Sequence, residues 1–204
     1  MAHRIEDRIT FIHVPKNAGT SIVYFFKENY KMQSLPTTHA TWSHLPKEWQ
    51  DNTFCVVRNP YDRVVSLYKF QIKVLERKQR LYPNFINPQL EELSKGFKNY
   101  IMNCQETVFK KHPTHNYVDA KWTKRQQIKY LSGNFEKINI LRYENLEKDF
   151  TQLLIENRIK QNRPLQKLNV SRSNNDYKQF YDTETRKEVE KFYQEDIDIL
   201  KYKF

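Results

Sequence analysis

The sequence contains one short loop whose residues could hold a phosphate group. This loop, Lys16-Asn-Ala-Gly-Thr-Ser21, combines a cation, a glycine and two hydroxyl side chains. If a helix follows it, the unpaired N–H groups and positive dipole end of that helix favour an anion, and Gly19 lets the backbone approach closely. The loop is not a Walker A motif, because its lysine precedes its glycine. Helix capping is the alternative role for these side chains.

The segments on either side of this loop predict the elements that would position it. Residues 9–14 form an apolar run that predicts a buried strand ending at Pro15. After the loop, apolar residues recur at helical spacing at Ile22, Val23, Phe25 and Phe26. A strand, a polar loop and a helix in this order are typical of a phosphate-binding turn.

A second strand and helix follow further along the chain. The apolar stretch that starts at Phe54 predicts a strand ending at Arg58, while Asn59 suits a helix N-cap and Pro60 suits the first helical position. Arg58 is therefore expected at the carboxyl end of a strand, and Ser66 about two turns into the following helix. A salt bridge between Arg58 and Asp62, with Arg63 as a plain surface charge, is the alternative interpretation.

Together the two stretches resemble the sulfotransferases that use 3′-phosphoadenosine 5′-phosphosulfate (PAPS) as donor. In that family a loop similar to residues 15–21 holds the 5′-phosphosulfate, and an arginine followed eight residues later by a serine holds the 3′-phosphate, as Arg58 and Ser66 would. The sequences of residues 13–21 and 57–63 most resemble the carbohydrate branch of that family. This branch includes heparan 2-O- and chondroitin sulfotransferases and short bacterial relatives. The resemblance implies an α/β fold with a central parallel β-sheet flanked by helices, similar to that of P-loop NTPases.

The resemblance also implies a set of donor-binding residues. Tyr143-Glu-Asn-Leu146 is similar to a family segment whose tyrosine lies near the adenine, and Ser171-Arg172-Ser173 stands where the family has a late basic loop. The Arg-Lys-Gly sequence that the cytosolic branch carries in that loop is absent here. The donor-binding residues implied are Lys16, Asn17, Ala18, Gly19, Thr20, Ser21, Arg58, Ser66, Tyr143 and Arg172.

Sulfuryl transfer needs a cation near the leaving phosphate and a base near the acceptor. Lys16 suits the bridging oxygen where charge develops, with ground-state phosphate binding as its alternative role. His39 resembles the histidine that short members of the carbohydrate branch place between the two phosphate elements, and an imidazole suits a base at neutral pH. His44 is its rival, and many sulfotransferases use a glutamate instead. His13 is expected to be structural.

Composition sets broad limits on the partners of this chain. Lys and Arg number 35 against 24 Asp and Glu, a net charge of +11 that implies an anionic partner. Two cysteines provide no disulfide framework, and His112 with His115 has no accompanying ligand set, so we expect no metal. The charged first residues are unlike a signal peptide, which predicts a cytoplasmic protein without stable membrane insertion if the chain is full-length. A Golgi-lumenal location is possible only if an anchor was removed.

The remaining elements complete an alternating pattern that favours a parallel sheet in one domain over residues 1–204. We expect a helix from Pro60 through Lys78, an irregular stretch over residues 31–51, and a loop over residues 110–125 that frames an acceptor groove. A third strand over residues 137–142 and a last helix from Thr185 to about Leu200 follow. That helix would bury Val189, Phe192, Tyr193, Ile197 and Leu200 on one face.

The function that follows is in-line transfer of a sulfuryl group from PAPS to a hydroxyl, or alternatively an amine, of an acceptor that we expect to be a carbohydrate, with another hydroxyl compound as the alternative. A P-loop-like nucleotide kinase is the main rival, but it would need magnesium and an acidic ligand at a strand end, which none of the three strands provides. A nucleic-acid-binding protein without catalytic activity is the second rival, supported only by charge and by the basic and aromatic residues near 110–125. We expect no nucleic-acid partner.

Overall fold

A computed structural model describes residues 1–28, 30–37, 40–82, 91, 93–103, 125–168 and 177–204. The chain divides into two compact units, each built from two separate stretches. The first unit comprises Met1–Asn59 and Gln126–Val170, and the second comprises Pro60–Arg125 and Ser171–Phe204. A single domain over residues 1–204 stays a prediction.

The first unit is built on a β-sheet with strand order β3-β1-β2-β4-β5. Strands β2, β4 and β5 are parallel, whereas β1 pairs antiparallel with both β2 and β3. The predicted α/β class with central parallel strands is confirmed, and the three predicted strands are its parallel members. The strands are β1 (Ala2–Ile5), β2 (Ile9–Ile12), β3 (Met32–Ser34), β4 (Thr53–Val57) and β5 (Ile138–Arg142).

Sequence patterns missed the two strands of the antiparallel part of the sheet, β1 and β3. β3 lies inside the stretch that we expected to be irregular, and that expectation was wrong for these three residues. Its residues are only partly buried or exposed, because an edge strand needs no apolar run. β1 contains His3 and Arg4, so it also lacks a continuous apolar pattern. His3 is nevertheless buried, and its Nδ1 lies 2.7 Å from Ser34 Oγ on β3.

Helices account for most of the remaining regular structure within the described ranges. The helix predicted from Pro60 is confirmed and extends to Leu81. The α-helices are α1 (Gly19–Lys27), α2 (Pro60–Leu81), α3 (Phe97–Asn103), α4 (Leu146–Glu156), α5 (Thr183–Phe192) and α6 (Gln194–Leu200). No helix in the described part of the chain is long and apolar enough to span a membrane.

Helices α1 and α4 pack on one face of the sheet in the first unit. Phe11 of β2 and Phe54 of β4 are paired in register and stack with ring centroids 4.9 Å apart. Phe25 and Phe26 of α1 join them in one apolar cluster with Phe150 of α4. Every residue of β2 and β4 is buried, so both faces of these strands are covered, as expected for parallel strands. This packing fixes the carboxyl ends of the strands.

The second unit is a helical assembly built around aromatic rings. Phe97 of α3 lies 5.4 Å from the Tyr68 ring of α2 and 5.0 Å from the Tyr181 ring, in edge-to-face geometry. Arg63 of α2 is fully buried, and its Nη1 donates to Arg125 O at 3.1 Å. The alternative that Arg63 is a plain surface charge was therefore wrong.

The predicted last helix is interrupted. It starts at Thr183, where Asp182 caps the N–H of Thr185 at 2.8 Å, and it breaks at Tyr193 to continue as α6. Phe192, expected inside, is 42% exposed, while the side chains of Val189 and Tyr193 are buried.

Candidate functional site

The predicted phosphate loop connects β2 to the amino end of α1. Lys16 (φ 69°) and Ala18 (φ 58°) both adopt the left-handed backbone conformation that non-glycine residues rarely take. Asn17 between them is 1% exposed. Ala18 is the N-cap of α1 and makes no side-chain capping hydrogen bond, and the first turn has no acidic residue. The positive end of the helix dipole is therefore not neutralised by an acidic side chain of its own first turn.

Gly19 has a packing role that the sequence did not indicate. A Cβ atom at this position would lie 2.0 Å from Cδ2 and Nε2 of His13. The His13 ring in turn stacks on Phe11, with centroids 5.8 Å apart. The His13 ring thus leaves no room for a Cβ atom where α1 begins, and its purely structural role stays a prediction.

Both ends of α1 are held by the segment that follows α4. Arg163 donates to the carbonyl oxygens of Tyr24 (2.6 Å) and Phe25 (3.2 Å) near the carboxyl end. At the amino end, Ser21 Oγ accepts a hydrogen bond from the N–H of Leu168 at 3.0 Å. Because the oxygen is the acceptor in that bond, the hydroxyl proton of Ser21 stays available for another partner.

Arg58 lies one residue beyond β4 and contacts two other predicted site residues. Its guanidinium carbon lies 4.1 Å from the ring centroid of Tyr143, and its Nη1 donates to the carbonyl oxygen of Lys16 at 3.2 Å. The side chain is 6% exposed. The loop, Arg58 and Tyr143 come from three distant parts of the sequence, and the fold brings them together at the carboxyl ends of parallel strands, where open α/β sheets bind ligands.

A glutamine that sequence reasoning missed lies at the centre of this arrangement. Gln127 is fully buried, and its side-chain amide pairs with the backbone of Arg58: Oε1 accepts from the N–H at 2.9 Å and Nε2 donates to the carbonyl at 2.8 Å. Oε1 also accepts from Asn17 Nδ2 at 2.6 Å, and the same Nδ2 donates to Val56 O at 2.8 Å. No motif surrounds Gln127, so spacing could not have found it.

Comparison with known proteins assigns the chain to a family. It matches the family described as "Sulfotransferase family" over residues 4–203, which is nearly its whole length. The chain belongs to the sulfotransferase family. No significant match was found among curated proteins or among solved structures.

Three further residues of the predicted motifs differ in their position relative to Arg58 and the phosphate loop. Glu144, next to Tyr143, accepts the N–H of Asn59 at 2.7 Å and so holds the residue that follows Arg58. Ser66 is buried in α2 and belongs to the second unit. Thr20 is exposed in the first turn of α1.

His44 has a structural contact that bears on its candidacy as the base. Its Nδ1 accepts the backbone N–H of Thr41 at 3.2 Å and lies 2.6 Å from Thr41 Oγ1, which caps the short 3₁₀ helix Trp42–His44. A backbone N–H can only donate, so Nδ1 must be unprotonated in this contact and the neutral ring carries its proton on Nε2.

Some predicted residues fall outside the described part of the sulfotransferase. His39, Arg172, the two histidines His112 and His115, and residues 110–124 of the expected acceptor loop all lie there. Among the described residues, no group of three or more His, Cys, Asp or Glu side chains is placed to hold a metal ion.

Proposed function

We propose that this sulfotransferase uses PAPS as donor and transfers its sulfuryl group to a hydroxyl group of a carbohydrate, with an amine as the alternative acceptor. One observation supports the proposal most strongly. Separate sequence motifs assign the phosphate loop, Arg58 and Tyr143 to the donor, and Arg58 contacts both the loop and Tyr143 in the first unit.

The chemistry of these groups fits a donor with two separate anionic groups. The amino end of α1 with Lys16 and the hydroxyls of Thr20 and Ser21 suits the 5′-phosphosulfate. Arg58 provides the planar, two-pronged donor that suits a 3′-phosphate, with Ser66 as a second donor. Tyr143 is proposed to lie near the adenine, and Arg172 to add a further cation.

The catalytic roles fall to two side chains. When bound, PAPS supplies the sulfuryl group and is converted to adenosine 3′,5′-bisphosphate. We assign to Lys16 the stabilisation of negative charge that grows on the leaving phosphate, because its ammonium group is a compact charge on a flexible stem. We assign to His39 the removal of the acceptor's proton. The tautomer imposed on His44 by Thr41 favours His39 over this rival.

Charge supports an acidic carbohydrate as acceptor and a reaction without a metal. The net charge of +11 would attract a polyanionic polysaccharide. Lys16 and Arg58 supply the positive charge that a magnesium ion supplies in nucleotide kinases. Within the described residues no observation favours the kinase, and the nucleic-acid-binding alternative keeps only the support of net charge and of the sequence near residues 110–125.

The test is a transfer assay with radiolabelled PAPS and a panel of polysaccharides, in a buffer that contains a metal chelator. We expect label on an acidic polysaccharide in the presence of chelator, and less on a neutral glucan. A matched reaction with labelled ATP and magnesium should leave the panel unlabelled. Transfer from ATP but not from PAPS would overturn the proposal in favour of a kinase.

A further inference from the structure

We infer that Gln127 is a positioning residue that couples the two anion-binding parts of the site, so that the phosphate loop and Arg58 are held in fixed register. The inference rests on the proposed function, because the register matters only for a ligand that both parts bind. Gln127 itself is not proposed to touch the donor.

The hydrogen bonds of Gln127 have only one consistent arrangement. The N–H of Arg58 must donate and its carbonyl must accept, so the side-chain amide can pair with both only if Oε1 faces the N–H (2.9 Å) and Nε2 faces the carbonyl (2.8 Å). This leaves Oε1 as the acceptor for Asn17 Nδ2 at 2.6 Å. One side chain thus binds the backbone that carries Arg58 and the centre of the phosphate loop.

Burial makes this connection rigid. Gln127 is fully buried and Asn17 is 1% exposed, so water cannot easily replace a lost partner. Asn17 also stands between two residues in the left-handed conformation, Lys16 and Ala18, which the loop must hold without the help of glycine. The Arg58 side chain in turn donates to the carbonyl of Lys16. The arginine is therefore linked to the loop twice, directly through its own side chain and indirectly through Gln127, which binds its backbone.

A purely structural glutamine would behave differently, and the chain offers a matched control. Gln71 in α2 of the second unit is also buried, at 2% exposure, but neither of its amide atoms has a hydrogen-bond partner in the described residues. Gln71→Met and Gln127→Met both remove a buried amide and preserve length. Only the second removes contacts with Asn17 and Arg58.

The readout is the preference for adenosine 3′,5′-bisphosphate over AMP, measured as the ratio of their dissociation constants by titration calorimetry. We expect Gln127→Met to reduce this ratio about tenfold, the order expected when a buried hydrogen bond that aligns a charged donor is lost. Gln71→Met should keep the wild-type ratio. In an Arg58→Ala background, Gln127→Met should change the ratio no further, because its effect acts through Arg58.

A second variant covers the case in which Gln127→Met does not fold. Asn17→Ala cuts the connection from the loop side and leaves the pairing of Gln127 with Arg58 in place. If the two parts are coupled, this change in the loop should also lower the preference for the 3′-phosphate.

The outcomes separate this inference from the proposed function. If the wild-type protein binds AMP and the bisphosphate equally, both are overturned. If the wild-type protein prefers the bisphosphate and Gln127→Met and Asn17→Ala keep that preference, the inference alone is overturned. An equal loss in Gln71→Met would also overturn it, because the effect would then be common to buried glutamines.

Discussion

The two units bury polar groups in different ways. In the first unit the buried polar side chains Asn17, Arg58 and Gln127 gather where parallel strands end, and they bind one another or the backbone beside them. In the second unit the hydroxyls of Tyr68 and Tyr181 donate to the carbonyls of Leu93 (3.2 Å) and Tyr61 (2.8 Å) from within an aromatic cluster. The first set holds the loop and strand ends of the proposed ligand site, and the second set holds aromatic rings in place.

This difference predicts what substitutions will do. Loss of a polar group in the first set should change ligand affinity or turnover, because the strand ends carry the proposed site. Loss of a tyrosine hydroxyl in the second unit should change stability. Burial raises the pKa of the Tyr181 hydroxyl above its usual range, so it stays a donor at all ordinary pH values.

The largest effect is expected for the proposed base. His39→Ala should lower turnover by about 10²–10⁴-fold, since a positioned base contributes that much, while nucleotide binding stays near wild type. The rise of rate with pH near the imidazole pKa should disappear with it. Steady-state rates across pH check both points.

His44→Ala is the matched control for this prediction. It removes the cap on Thr41 and should affect stability more than turnover. A near-normal rate in His39→Ala together with an inactive His44→Ala would transfer the role to His44. Activity in both would point to a carboxylate base.

Lys16→Ala is expected to have the next largest effect. Turnover should fall by about 10²–10³-fold, because removal of one group that stabilises developing charge typically costs this much. Affinity for adenosine 3′,5′-bisphosphate should fall far less. Lys27→Ala, an exposed lysine at the other end of α1, serves as the control. Equal losses in turnover and affinity would make Lys16 a binding residue only.

The sequence predicted the parallel strands and the first two motifs because each depends on local patterns. β2, β4 and β5 read as apolar runs, and the phosphate loop and Arg58 follow β2 and β4 directly. Gln127 could not be predicted, because its partner Arg58 lies 69 residues away and no spacing rule connects them. The break at Tyr193 also left no signal, since apolar residues continue at helical spacing across it.

His3 provides a pH test within the first unit. Burial, helped by the nearby N-terminal amine, lowers its pKa to about 4 from 6.5. The unfolded chain therefore binds an extra proton between these values, and stability should be lost as the pH falls from about 6.5 towards 4, by at most about 3 kcal/mol. His3→Gln cannot titrate and should flatten this part of the profile of unfolding free energy. An unchanged slope in the variant would contradict the assignment.

The smallest effect is expected in the second unit. Tyr181→Phe removes the donor to Tyr61 O and should lower the free energy of unfolding by about 1 kcal/mol. Nucleotide affinity should not change. Tyr82→Phe, at a position 65% exposed, should leave both quantities at wild type. Denaturant unfolding and nucleotide titrations of the two variants measure both quantities. A loss of nucleotide affinity in Tyr181→Phe would contradict the prediction that hydroxyls of the second unit affect only stability.

The most direct test of the proposed site is a calorimetric comparison of adenosine 3′,5′-bisphosphate with AMP on the wild-type protein and on Arg58→Ala. The account predicts that the wild-type protein binds the bisphosphate more tightly without added metal. It also predicts that Arg58→Ala loses about 10–100-fold in affinity for the bisphosphate and little for AMP, since hydrogen bonds to a charged group are worth about 1.5–3 kcal/mol. Equal affinity of the wild-type protein for the two nucleotides would contradict it.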